Sequence, residues 1–161
     1  MPTIHAIHGF LGSGKTTLAR RLEQTLPALR LNSDEWMVRL YGPDPPEEVF
    51  RPALARVQAL QRALAERVLA LGLDVVLDEG YWTRAGRDGL RAWAEALGLP
   101  LRLYAVKVLD DEAWRRIDVR NRQPGSLYIA PETYALFRRQ FAPLAPDEPH
   151  EDAAPGGYPE S

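Results

Sequence analysis

The segment Gly9-Phe10-Leu11-Gly12-Ser13-Gly14-Lys15-Thr16-Thr17 contains, from Gly9 to Thr16, the eight-position pattern G-x-x-x-x-G-K-[ST] without a mismatch. The pattern lies between an apolar-rich stretch at 3–8, read as a strand, and a stretch from Lys15 to Leu26. The latter carries Leu18, Ala19, Leu22 and Leu26 at helical spacing. Glycines at 9, 12 and 14 let the backbone turn tightly enough to aim successive N–H groups, including those of Ser13 and Thr17, at phosphate oxygens. Lys15 then reaches the β- and γ-phosphates, Thr16 ligates Mg²⁺, and the helix N-terminus adds its partial positive charge. The competing reading is a glycine-rich turn with a solvated lysine. The four fixed positions coincide by accident in roughly one chain of this size in a few hundred, and the strand–helix context lowers that further.

Beyond the loop, strands alternate with helices. Leu29 to Leu31, Leu73 to Leu77 and Leu101 to Val108 read as further strands. A long helix follows the proline-rich loop at 42–46, with an apolar series of Phe50, Leu54, Val57, Leu60, Leu64, Val68 and Leu71 closed by Gly72. Thr83 caps a helix to about Leu97, Asp110 or Asp111 starts another, and Pro131 opens a last one to Phe141. Buried strands joined by helices imply right-handed crossovers and a parallel sheet covered on both faces. The expected fold is a three-layer α/β/α sandwich with a mainly parallel sheet of four strands, or five. A domain is expected over 1–142, with a mobile lid at about 115–130. The Pro-, Gly- and acid-rich stretch 143–161 is expected to be a loose tail.

The 161 residues suffice for one domain, and there are no cysteines for disulfides, thiolate metal sites or thiol nucleophiles. A formal net charge of −2 removes the simple case for non-specific nucleic-acid binding. No run is long enough to span a membrane, and the expected location is the cytoplasm.

Ligands of parallel sheets collect at the carboxyl ends of the strands, where Gly9, Asp34 and Asp78 fall. Asp34, in Leu31-Asn-Ser-Asp-Glu-Trp36, is placed to take the proton of an attacking hydroxyl, or else caps a short helix. Asp78 ends Val75-Val-Leu-Asp78, a Walker-B-like strand, and is expected to hold Mg²⁺ or orient the acceptor. Glu79 is expected to point away, so that one of the two faces the site. Arg116, Arg120 and Arg122 crowd one short helix before the Gln123–Ser126 loop. At least one of Arg120 and Arg122 is expected to close over a triphosphate, against the alternative of a solvated basic face. Arg39, Arg84 and Arg87 follow the acidic strand ends and are weaker candidates for an acceptor pocket. His5 and His8 read as packing residues.

With these residues placed, the chain resembles the small P-loop kinases related to the kinase domain of bacteriophage polynucleotide kinase, chloramphenicol phosphotransferase and zeta toxins. The resemblance spans about residues 3 to 142. It rests on GFLGSGKTT, on LNSDEW, on VVLDEG and on RRIDVRNR. It implies a kinase using ATP (GTP being the alternative) and Mg²⁺, with Asp34 as general base and Asp78 helping to position the acceptor. An arginine of the Arg116–Arg122 segment is the implied lid residue. Members of the group act on nucleic-acid ends, sugars, antibiotics and nucleotide-sugars, so the acceptor is left open. A small-molecule hydroxyl is the first expectation, a polynucleotide or nucleotide 5′-hydroxyl the second. A nucleotide-binding ATPase or switch without an organic acceptor is the alternative from another class.

Overall fold

The computed structural model describes residues 1–154 and 158–159. Its elements in chain order are β1 Ile4–His8, α1 Lys15–Thr25, β2 Ala28–Leu31, α2 Ser33–Tyr41, α3 Glu47–Ala70 and β3 Asp74–Gly80. They continue with α4 Arg84–Leu97, β4 Leu101–Ala105, α5 Asp110–Asn121, α6 Pro131–Gln140, β5 Glu151–Ala154 and β6 Tyr158–Pro159. The strands form one sheet in the order β2-β3-β1-β4-β5-β6. Neighbours from β2 to β5 run parallel, and only β6 is antiparallel.

β1 is buried at all five positions because it lies between β3 and β4 with helices over both faces. A strand so covered has no solvent side, so Ile4, Ala6 and Ile7 pack on both faces and the two histidines are buried with them. On one face Ile4, Ala6, Leu31, Val75, Leu77 and Leu103 pack with Ala65, Leu69 and Leu90 of the helices. On the other, Ile7, Val76 and Tyr104 pack with Leu18, Ala19 and Leu22. His5 sits in this sheet with Nδ1 3.0 Å from the Tyr104 hydroxyl and Nε2 3.1 Å from Asp74. Burial pushes its pKa down against the pull of Asp74, as suits a packed ring with both nitrogens partnered.

Local signals account for the helix ends. Thr83 accepts a hydrogen bond from Gly86 N at 3.1 Å, and Gly98 leaves α4 with a positive φ of 65°. α2 starts two residues earlier than an Asp34 cap would require. Asn32 is the cap, its side chain accepting from Glu35 N at 2.9 Å.

Two expectations change. α3 buries Ala53, Val57, Gln61, Ala65, Val68 and Leu69, while Leu60 and Leu71 are exposed. Its buried stripe, facing α2 at Ala53 and Val57 and the sheet at Ala65, Val68 and Leu69, is thus rotated from the one the leucines suggest, and it carries a glutamine. The stretch after 142 also contributes to the fold: β5 pairs with β4, and Glu148 is 3% exposed. Glu148 Oε2 accepts from Arg87 Nε at 2.7 Å and from Arg91 Nη2 at 2.9 Å. An acidic residue that reads as a solubilising tail charge is drawn inside by these two guanidinium groups. The expected tail residues 155–157, 160 and 161 lie outside the described residues.

Candidate active site

The loop from Gly9 to Gly14 turns from the end of β1 into α1. Gly12 and Gly14 take positive φ values of 71° and 97°, which residues with a Cβ rarely adopt. Gly12 has a second reason to be glycine, since an added Cβ would meet the carbonyl oxygen of Ala113 at 2.5 Å. Gly9 is held on both sides, its N–H donating to Gly80 O at 3.1 Å and its carbonyl accepting from Trp82 Nε1 at 3.0 Å. Ser13 is buried and its N–H donates to Phe10 O at 3.2 Å; Thr17 is exposed in the first turn of α1. Lys15 Nζ donates to Phe10 O at 3.0 Å. Burial lowers the pKa of this ammonium, opposed by the negative charges of Asp78 and Asp34.

Thr16 Oγ1 donates to Asp78 Oδ2 at 2.9 Å, joining the loop to the end of β3. The same carboxylate oxygen accepts from Arg30 Nη1 at 3.1 Å and Asn32 Nδ2 at 3.0 Å. Arg30 also reaches Glu35 at 2.7 Å. Asp78 Oδ1, by contrast, is buried with no partner. An orphaned carboxylate oxygen beside a threonine hydroxyl suits a hard cation that takes oxygen ligands. The residues therefore fit Mg²⁺ held jointly with a nucleotide and water. Among the described residues no cluster of three or more His, Asp and Glu could cage a metal by itself.

Asp34 and Glu79 line the same cleft as Lys15, Thr16 and Asp78, a cavity of about 1230 Å³. Asp34 is solvent-exposed at the cleft; the packing around it pushes its pKa up, and the charges of Lys15 and Arg120 oppose that. Such a carboxyl is a stronger base than an ordinary one while the two cations keep it available. Contrary to expectation, Glu79 faces the site along with Asp78. The cleft passes over the end of β3 and collects side chains from both of its faces. Glu79 binds the first turn of α2, accepting from Ser33 N at 2.9 Å and Ser33 Oγ at 2.5 Å. Burial pushes its carboxyl up to about 7, resisted by those hydrogen bonds.

The arginines separate. Arg120 lines the cleft. Arg116 stands at the lip of the phosphate loop, donating to Gly12 O at 3.1 Å and pairing with Glu112. Arg122 points outward to Asp118 at 2.6 Å. Arg39 is exposed at the end of α2 and does not line the cleft; Arg84 is held on the outer surface by Asp88 at 3.1 Å and Asp147 at 2.7 Å. Arg87 turns into the buried pair with Glu148. These three therefore do not form an acceptor pocket.

Arg30, Asn32, Ser33 and the α3 side chains escape sequence reasoning. Asn32 carried a usable signal, a cap residue three positions before Glu35. Arg30 carried a fainter one, a charged residue inside a strand.

No helix among the described residues is long and apolar enough to cross a membrane. The fold is that of the P-loop kinases, with a sheet whose first five strands are parallel. Residues 4–144 match the family model described as an AAA domain, AAA_33, and the chain belongs to that family. Among curated proteins none matches. Of the solved structures, the chain is similar to a component of the Pnkp1/Rnl/Hen1 RNA repair complex, with 20% identity and a TM-score of 0.69. That match covers 86% of this chain but only 43% of the other, so the chain spans less than half of that relative. A provisionally assigned kinase from Chloroflexus aurantiacus matches with 20% identity, a TM-score of 0.70 and coverage of 94% and 86%. Kti12 of Chaetomium thermophilum, solved with ADP-AlF3, matches with 18% identity, a TM-score of 0.64 and coverage of 89% and 82%.

Proposed function

We propose that the protein is an ATP- and Mg²⁺-dependent kinase that transfers the γ-phosphoryl group to a hydroxyl of a small molecule. The observation that carries this is the placement of Asp34 in one open cleft with Lys15, Thr16 and Arg120. Simple nucleotide binding requires the loop and its lysine, but not a carboxylate sharing their cleft.

The amides of the phosphate loop and Lys15 hold the triphosphate, and Thr16 with Asp78 would hold the magnesium ion. That ion, when bound, offsets phosphate charge. Asp34 accepts the hydroxyl proton as the new O–P bond forms and the bond from the γ-phosphorus to the bridging oxygen breaks, releasing ADP. Arg120, which lines the cleft, would offset the negative charge that builds on the moving group. Arg116 steadies the loop through Gly12. A net charge of −2, with no basic excess to meet a phosphate backbone, favours a small acceptor over a nucleic-acid end.

The test is incubation with γ-labelled ATP, Mg²⁺ and pools of hydroxyl compounds. Label on an organic product supports a kinase. Label released only as free phosphate, in every pool, supports an ATPase or switch instead.

A further inference from the structure

Gln61 is a polar residue in an apolar stripe. It occupies the α3 position between Val57 and Ala65, is 4% exposed, and its Nε2 is buried without a partner. The helix passes along the cleft there, and Gln61 lines it. Arg62, next in the chain, also lines the cleft and is half-buried, its guanidinium 4.0 Å from the Trp93 ring centre. Arg62 Nη1 is buried with no hydrogen-bond partner, and among the described residues its guanidinium forms no ion pair with a carboxylate. Tyr81 lines the same cleft, near enough for the charge of Arg62 to act on its hydroxyl. Burial raises the pKa of its hydroxyl, which the charge of Glu79 reinforces and that of Arg62 opposes, so it stays a proton donor at neutral pH.

We propose that Gln61, Arg62 and Tyr81 form an anion-binding corner that seats a carboxylate or phosphate group of the acceptor, apart from the hydroxyl presented to Asp34. The proposal rests on the kinase reading above and narrows its substrate class. Arg62, which can only donate and bears a charge with no carboxylate paired to it, and the unpartnered Nε2 of Gln61 beside it match a group that accepts hydrogen bonds and is negative. A neutral hydroxyl would satisfy one donor and leave the charge of Arg62 unpaired; an amine would be repelled. Nearby acids do not take the anion's place. Both oxygens of Glu79 are engaged by Ser33, Glu66 Oε1 is turned to Trp93 Nε1 at 2.9 Å, and Glu47 pairs with Arg51.

The experiment measures transfer from ATP to four defined sets: hydroxy-carboxylates, hydroxyl compounds bearing a phosphate monoester, neutral polyols and amino alcohols. Transfer to a member of the first or second set is expected, with its neutral analogue at least about tenfold poorer in kcat/KM. The set that reacts distinguishes carboxylate from phosphate. Gln61→Met and Arg62→Met, which keep the apolar stems in place, should raise the acceptor KM about tenfold or more. Both should leave kcat and Mg·ATP affinity within about twofold, and Arg62→Lys should recover part of the loss. Preference for neutral polyols or amino alcohols, or an unchanged acceptor KM in both Met variants, overturns the proposal while leaving the kinase reading intact. Label released only as free phosphate overturns both.

Discussion

Glu79 holds Ser33 at two points, accepting from its backbone N–H at 2.9 Å and its hydroxyl at 2.5 Å. Ser33 is the first residue of α2 and Asp34 the second, so this one carboxylate fixes the turn on which the proposed base stands. A negative or partly negative group at a helix N-terminus also complements the unpaired N–H groups there.

The first prediction concerns pH. Burial raises the Glu79 carboxyl from 4.5 to about 7, so the folded state holds a proton that the unfolded chain releases in that interval. Its stabilising contribution is therefore complete below about pH 4.5 and is lost as pH rises to about 7. Glu79→Gln cannot ionise and keeps an oxygen for Ser33 N. Wild-type Tm measured at pH 5 and at pH 8 should fall more across that interval than the variant's. Equal falls in the two proteins would remove Glu79 as the titrating group.

Asp34 and Lys15 should separate binding from chemistry. Asp34→Asn removes the proton acceptor and is expected to lower transfer by about 10² to 10⁴ while leaving Mg·ATP affinity within about threefold. Lys15→Ala removes a charged phosphate contact and should weaken Mg·ATP binding about tenfold or more, read by titration calorimetry. If Asp34→Asn turns over at the wild-type rate, Asp34 has no part in the reaction.

Arg120 and Arg122 look alike in the sequence, both following the two arginines of Arg115-Arg116 on one short helix. Their side chains differ, Arg120 lining the cleft and Arg122 paired with Asp118 on the surface. Arg120→Ala should lower kcat at least about a hundredfold, as the loss of an arginine that screens a moving phosphoryl group does. Arg122→Ala loses an exposed ion pair and should leave kcat within about twofold. Steady-state kinetics of the two variants decides which arginine acts.

The parallel core and the phosphate loop were legible because each has a local cause. Buried strands are mainly apolar, and the loop must be glycine where φ is positive and where Ala113 approaches. Thr83 and Pro131 announced their helices for the same reason. What the sequence hid depends on partners far along the chain. Arg84 and Arg87 follow an acidic strand end and look equivalent to pocket residues, yet Asp147 and Glu148, about sixty positions later, draw them away. Gln61 was passed over because the exposed Leu60 beside it completes an equally good apolar series. Asp78 and Glu79 reach one site because the cleft bends over a strand end, and alternation along a strand cannot foretell that.

The same long-range pair yields the last prediction. Arg87 is 1% exposed and the Glu148 side chain is fully buried. Arg87 Nη1 also donates to the carbonyls of Tyr81 and Ala142, each at 3.0 Å. Tyr81 has a positive φ of 47°, an unfavourable conformation for a residue with a side chain, and this contact helps to keep it there. Arg87 holds the Glu148 carboxyl well below the usual range, so its stabilising effect is present above the unfolded value of 4.5 and is lost as pH falls below it. Glu148→Gln, or deletion of residues 143–161, leaves a buried guanidinium without its counter-charge. Breaking one side of such a pair costs about 3–5 kcal/mol, which for a chain of this length lowers Tm by roughly 10 °C. The double variant Arg87→Met with Glu148→Leu removes both charges and should recover much of that loss. Calorimetric Tm values for the three proteins test the claim. A truncated chain as stable as the full one would show that the domain closes at 142 and that the buried pair contributes nothing to holding it.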